Sequence, residues 1–347
     1  MPTYIRGRDN LAVTLFVPWD CGRNCPFCTT KHKYKDTSKF SLDKQISTLI
    51  GIWCLSDIKD VVITGGEPFA NIPELDRLFS SIRSLRRLSP KKVFINTSKV
   101  DFTKKEFDEF QRFLDRYRGI IDGVSVSNHI GNEWFAPSNE VIFSFRQHKI
   151  PVRMNCVVDY NKVTHHELID FVLTWQREVD TISFRRDYTT VNDRNDLTLD
   201  DDVVDRLVDL FGHYTESGCQ VCHDNVFKDG KVHYHRGYKN TSIVNPLGDV
   251  AVNDFIIKQD GKLYLDWEGA GPFSVSDVLD CWTTIESYPQ SRKEDNQDNQ
   301  EYKFPEGPSY IPAGAFHIPA GALSNSTCGA GSCDLVYERS TCGSGRC

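Results

Sequence analysis

Between residue 11 and about residue 217, six apolar strand segments alternate with amphipathic helical segments. This alternation constrains the fold more than any other feature of the chain. The strand segments are Leu11–Val17, Asp60–Thr64, Lys92–Asn96, Gly123–Ser127, Val152–Val158 and Thr181–Arg185. Ile46, Leu49, Ile50 and Trp53 recur at helical spacing, as do Leu75, Leu78, Phe79 and Ile82 after Pro73. Thr103 with Glu106 and Thr164 with Glu167 read as capping boxes ahead of two further helices. A last helix is expected from about Leu199 to Glu216. Repeated strand–helix units demand a parallel sheet with right-handed crossovers. Six units are too few for the usual closed barrel of eight, so an open partial barrel and a doubly wound sheet both fit. In either, the reactive site belongs at the carboxyl ends of the strands.

Beyond residue 218 the pattern changes. Gly248 to Trp267 reads as β structure, with Asp260-Gly261 turning a hairpin between Phe255–Ile257 and Leu263–Leu265. Residues 287–300 are polar and charged. The tail repeats itself twice: Ile311-Pro-Ala-Gly-Ala returns at Ile318, and Ser326-Thr-Cys-Gly-Ala-Gly-Ser-Cys333 returns as Ser340-Thr-Cys-Gly-Ser-Gly-Arg-Cys347. The expected organisation is a core over 1–217, a C-terminal β extension over 218–286, and a polar linker with a repeated, flexible Cys/Gly-rich tail over 287–347.

Charge narrows the function. The net charge of −7 disfavours nonspecific nucleic-acid binding, which relies on neutralising phosphates. No apolar run approaches the roughly 20 residues that cross a bilayer, and the N-terminus lacks the apolar stretch of a signal peptide. A cytoplasmic enzyme without a membrane partner is expected. The 12 cysteines cluster unevenly along a long, periodic chain, which suits metal or redox chemistry better than a disulfide framework.

Three of them, Cys21, Cys25 and Cys28, lie in a loop directly after the first strand. Three local thiolates without a local fourth leave one coordination position open, whereas four would close a structural zinc or a standard cluster. A zinc site completed by a distant residue is the alternative. After the second strand comes Gly65-Gly66-Glu67-Pro68. Paired glycines permit close approach to the backbone, and the adjacent carboxylate suits an ammonium group.

The CX3CX2C loop with Phe27 before its third cysteine, together with the GGEP turn, resembles the radical S-adenosylmethionine (radical SAM) superfamily. The resemblance spans residues 11 to about 217 and implies a partial (β/α)6 TIM-like barrel. It implies that Cys21, Cys25 and Cys28 bind three irons of a [4Fe-4S] cluster, and that the fourth iron chelates SAM. Gly65, Gly66 and Glu67 would hold the SAM amino group, with Phe27 near the adenine. Reductive cleavage of SAM would give a 5′-deoxyadenosyl radical that abstracts hydrogen from a substrate. An electron donor such as flavodoxin or ferredoxin is implied as a partner.

Strand parity supplies a separate reading. Val93, Ile95, Val124, Val126, Val152, Met154, Cys156, Val158, Ile182 and Phe184 fall on one face of their strands and should meet helices. Asn96, Ser125, Ser127, Arg153, Asn155, Ser183 and Arg185 fall on the other, with Phe94 the apolar exception. Polar groups are costly to bury unpaired, so this inward set suits a cavity holding polar ligands. By the resemblance, Ser127 and Asn155 are candidates for the SAM ribose and Arg153 for its carboxylate. No catalytic side chain is assigned.

The remaining cysteines divide. Cys54 and Cys156 read as small core residues. Cys219 and Cys222 form a CXXC that could ligate a second centre or be two ordinary cysteines. The Phe255–Trp267 hairpin resembles a degenerate SPASM or twitch extension, with Leu265 where that motif places a cysteine. Cys328, Cys333, Cys342 and Cys347 could bind a second cluster or zinc. Alternatively the tail is itself a substrate, since its repeats resemble ribosomal peptides processed by such enzymes, or it is simply a flexible terminus. The expected substrate is a peptide or protein. The alternatives are a small molecule such as a nucleotide or sugar, or a non-catalytic Fe–S or zinc protein that senses redox state or binds a partner.

Overall fold

The computed structural model describes residues 4–6, 11–19, 21, 25, 27–28, 40–99, 101–130, 137, 139–158, 162–186, 201–218, 222–227, 230–237, 242–244, 250–252, 254–265, 272–283, 326–329 and 332–335. The first half alternates strand and helix: β1 (Tyr4–Arg6), β2 (Leu11–Val17), α1 (Leu42–Ile52), β3 (Ile58–Gly65), α2 (Ile72–Leu88), β4 (Lys92–Thr97), α3 (Lys104–Tyr117), β5 (Gly123–Ser127), α4 (Asn139–Gln147), β6 (Val152–Val158), α5 (His165–Trp175), β7 (Thr181–Arg186) and α6 (Asp201–Phe211). There follow β8 (Thr215–Gly218), β9 (Cys222–Phe227), β10 (Val232–Gly237), β11 (Ser242–Val244), β12 (Val250–Val252), β13 (Asp254–Ile257), β14 (Leu263–Tyr264), α7 (Val275–Cys281), β15 (Trp282–Thr283), β16 (Ser326–Gly329) and β17 (Ser332–Leu335).

Local chemistry explains the helix boundaries. Thr103 and Thr164 each accept from the backbone N–H three residues on, and Glu106 and Glu167 bond back, so both capping boxes are complete. These bonds hold both Glu carboxyls below their ordinary range. The helix expected to run to Glu216 ends at Phe211 instead. Gly212 adopts φ +82°, a left-handed backbone that stops the helix, and the chain turns into β8.

The main sheet has the order β14-β13-β2-β3-β4-β5-β6-β7-β10-β9-β8. Its six expected strands, β2 to β7, pair in parallel, flanked in parallel by β13 on β2 and β10 on β7. The antiparallel strands β14, β9 and β8 form its margins, and the sheet does not close. A second sheet has the order β11-β12-β1-β15. The tail, read above as flexible, contains the paired strands β16 and β17.

Burial follows strand parity. Val93, Ile95, Val124, Val126, Val152, Met154, Cys156, Val158, Ile182 and Phe184 all join one core cluster with helix residues such as Leu49, Leu75, Phe79, Phe110 and Leu168. On the opposite face, Val62 and Phe94 form a separate apolar pair. The 254–264 hairpin turns at Gly261, φ +74°, and docks on α1. There Gln45 Nε2 donates to the carbonyls of Phe16 at 2.7 Å and Lys258 at 3.1 Å, tying helix, first barrel strand and hairpin together. Leu265, at the position where a ligating cysteine would fall, is buried in the core. Among the described residues, no helix is long and apolar enough to cross a membrane.

Candidate active site

The two sequence motifs meet because β2 and β3 are parallel neighbours that end side by side, with Val17 opposite Gly65. Past that pair the chain keeps pairing. The N–H of Gly66 donates to Val17 O at 2.8 Å and that of Glu67 to Trp19 O at 3.0 Å. The glycines make this approach possible. A Cβ on Gly66 would sit 1.8 Å from Trp19 O, and one on Gly65, whose φ is +131°, 2.3 Å from Val17 O. The close backbone approach expected of a ligand is thus made by the chain's own Val17–Trp19 segment, which leads into the cysteine loop.

Glu67 is 2% exposed, and its carboxylate accepts four hydrogen bonds. Oε1 takes the Phe69 N–H at 3.0 Å and the Thr97 hydroxyl at 2.6 Å. Oε2 takes the Ser98 N–H at 2.7 Å and the Ser98 hydroxyl at 3.0 Å. Charged acceptors make stronger hydrogen bonds than neutral ones, so this carboxylate fixes the GGEP turn to the end of β4. Ser98 Oγ also lies 3.4 Å from Cys21 Sγ, which connects the first cysteine to the same network.

Cys21, Cys25 and Cys28 are not in disulfides and are of intermediate burial. The Cys28 N–H donates to Cys25 O at 3.1 Å and closes a turn around Phe27. The Phe27 ring packs edge-on against His129, with centroids 4.4 Å apart. His129 lies just beyond β5, is buried, and accepts at Nδ1 from the Val157 N–H at 2.9 Å. The cysteine loop therefore reaches across to the ends of β5 and β6. Among the described residues, no three His, Cys, Asp or Glu side chains gather closely enough to hold a single metal ion.

The inward-facing candidates form two registered rows. Ser127 pairs with Asn155, Asn155 with Ser183, and Ser183 with His233 of β10. One step lower, Asn96 pairs with Ser125, Ser125 with Arg153, and Arg153 with Thr181. Arg153 thus lies about 7 Å below Asn155, two residues down its strand. Arg185 pairs with His235, also on β10. Arg153 and Asn155 are buried, at 6% and 8% exposure. Among the described residues, Thr14 Oγ1, Asn96 Oδ1 and Asn155 Oδ1 are buried without a hydrogen-bond partner. Such orphaned acceptors fit a polar ligand, and three cysteines on one loop, none in a disulfide, suit the thiolate ligation of an iron–sulfur cluster.

Sequence reading missed Thr97, Ser98, His129, His233 and His235. For the histidines a signal existed: Val232-His-Tyr-His235 alternates apolar and polar as a half-buried strand does. Cys54 is exposed rather than in the core, because α1 ends at Ile52 and the chain turns outward there. Cys156 is buried as expected, and burial pushes its thiol up to about 12. Cys219, Cys342 and Cys347 lie outside the described residues. Cys222 opens β9, and Cys328 and Cys333 are register partners across β16 and β17.

Residues 7–142 match the family model of the 4Fe-4S single cluster domain. No curated protein sequence matches the chain. Among solved structures, the chain is similar to SuiB from Streptococcus suis at 15% identity with a TM-score of 0.44, covering 73% of this chain and 59% of SuiB. It is similar to the radical S-adenosylmethionine methyltransferase TsrM from Kitasatospora setae, whose structure holds cobalamin and a [4Fe-4S] cluster, at 12% identity with a TM-score of 0.32, covering 50% of this chain and 36% of TsrM. The chain thus spans less than two thirds of either neighbour's length. The matched residues 7–142 hold both the cysteine loop and the Gly65-Gly66-Glu67-Pro68 turn, on an open, mostly parallel α/β sheet.

Proposed function

We propose that this protein is a radical SAM enzyme acting on a peptide, with Cys21, Cys25 and Cys28 as the protein ligands of its cluster. A bound [4Fe-4S] cluster supplies the electron for reductive cleavage of SAM and so gives access to hydrogen abstraction from unactivated C–H bonds. The chain's own residues bind, orient and shelter. The observation that carries this reading is the shared bracing of the two motif loops: Gly66 and Glu67 donate to the exit of β2, while Ser98 touches both Glu67 and Cys21.

Because the Glu67 carboxylate is occupied by Phe69, Thr97 and Ser98, its role is to hold the turn. The main-chain carbonyls of Gly65 and Gly66 are then the groups offered to the SAM amino group. Ser127 and Asn155, opposite one another and both inward, are offered to the ribose, and Arg153 below them to a carboxylate. Phe27, fixed against His129, forms an apolar wall for the adenine. An electron donor such as flavodoxin or ferredoxin completes the system.

The test is anaerobic reconstitution with iron and sulfide, followed by SAM and dithionite, with 5′-deoxyadenosine as the readout. The expected result is about four irons per chain and 5′-deoxyadenosine that disappears when Cys21, Cys25 and Cys28 are all changed to Ala. A reduced, SAM-exposed cluster that yields none with the full-length chain or an added peptide would overturn the catalytic reading in favour of a redox sensor.

A further inference from the structure

The four-residue strand β16 lies against β2, β3 and β8. In the sheet order, β8 is one edge, while β2 and β3 are internal strands eight and seven positions from it. A strand of this length spans only about 13 Å, so it reaches both regions only if the sheet curls and the hairpin sits within the curl. β2 and β3 have strand neighbours on both sides, so β16 meets their faces and not their edges. Their outer faces, with Val13, Leu15, Val61 and Ile63, are packed into the helix-covered core. The hairpin therefore covers the inner face, the side of Thr14, Phe16, Val62 and Thr64. These two strands lead directly into the cysteine loop and the GGEP turn.

We propose that this inner face is a peptide-binding site and that its occupant is the chain's own tail, residues 326–335, docked in cis as a β-hairpin. The proposal rests on the catalytic reading above and names the peptide. Three observations support it. Cys328 and Cys333 are register partners across β16 and β17, so the CX4C spacing is the spacing that pairs the two cysteines. The second repeat, Cys342 to Cys347, keeps that CX4C spacing in the sequence, so a site that takes the first segment has a second copy of it available. The 42 residues between Thr283 and Ser326 provide far more reach than docking in cis requires, and tethering raises the local tail concentration to the millimolar range.

The experiment uses the full-length chain with the photocrosslinker p-benzoylphenylalanine in place of Phe16 and, as a control, in place of Leu88, an exposed residue on α2. After irradiation, adducts are mapped by peptide mass spectrometry and sized on a denaturing gel. The expected result is an adduct from position 16 to residues 326–335 within single chains, at least ten-fold above that from position 88, and suppressed by excess synthetic peptide copying Ser324–Tyr337. Absence of that adduct, equal adducts from both positions, or adducts only between two chains would overturn the proposal. If the variant at 16 does not fold, the same crosslinker replaces Val62 on β3 and the same outcomes apply. An adduct in a chain that makes no 5′-deoxyadenosine would keep the docked tail and sink the catalytic reading; 5′-deoxyadenosine without the adduct would do the reverse.

Discussion

The carboxylate of Glu67 accepts from both the main-chain N–H and the hydroxyl of Ser98, at 2.7 and 3.0 Å. Ser98 belongs to the exit of β4, and its hydroxyl also lies beside Cys21 on the exit of β2. Three consecutive strand ends are joined through one buried carboxylate. Changing Glu67→Gln replaces one acceptor oxygen with a donor amide facing donors. It should cost about 2–3 kcal/mol, visible as a lower melting temperature, and should reduce iron retained after desalting. Unchanged stability and iron content would remove the bracing role.

The glycine pair can be tested against an internal control. Gly65→Ala and Gly66→Ala force a Cβ into the Val17 and Trp19 carbonyls, and each should cost more than about 3 kcal/mol or prevent folding. Gly119 faces open space, so Gly119→Ala should stay within about 0.5 kcal/mol of the parent. Chemical unfolding of the three variants measures the contrast.

Two cysteines outside the site should differ in reactivity. Cys54 is exposed, whereas Cys156 is buried with its thiol pushed up to about 12. At pH 8 only ~1 in 10,000 such thiols is ionised. Iodoacetamide should label Cys54 in the native protein and reach Cys156 only after unfolding. Equal labelling in the native state would show that β6 opens readily.

Lys91 gives a pH-dependent test. The residue is 3% exposed, and its ammonium donates to Leu55 O at 2.9 Å and Ile58 O at 2.7 Å and sits over the Trp53 ring. Burial lowers it from 10.5 to about 8, with the neighbouring Lys59 charge adding to the shift. Between those values the unfolded chain binds more protons than the folded one, so this group adds stability as pH rises through the window. Urea unfolding at pH 8 and pH 10 should show wild type gaining on Lys91→Met at the higher pH. No relative gain would mean that Lys91 titrates normally.

The strands were legible because each is a run of alternating or apolar residues bounded by turn chemistry. Gly123–Ser127 and Val152–Val158 match to the residue. The Thr103 and Thr164 boxes were legible because a cap is a local interaction over four residues. Cys54 lies off the core because it is two residues past Ile52, where the helix stops and its periodicity no longer applies. The alternation Val232-His-Tyr-His235 was a strand signal that went unread, but which strand it joins was not local information: β10 pairs with β7, which sets His233 beside Ser183 and His235 beside Arg185.

What the sequence determined by itself is local in origin: the strand–helix alternation, the cysteine loop and glycine turn, and which side chains share a strand face. Periodicity and spacing carry that information without any knowledge of partners. The tertiary structure decided everything that depends on register between distant segments. It set Val17 against Gly65, engaged the Glu67 carboxylate with Phe69, Thr97 and Ser98, placed His233 beside Ser183, and brought β16 against β2 and β3. The physical reason is that a hydrogen bond between residues far apart in the chain leaves no periodic trace in either one.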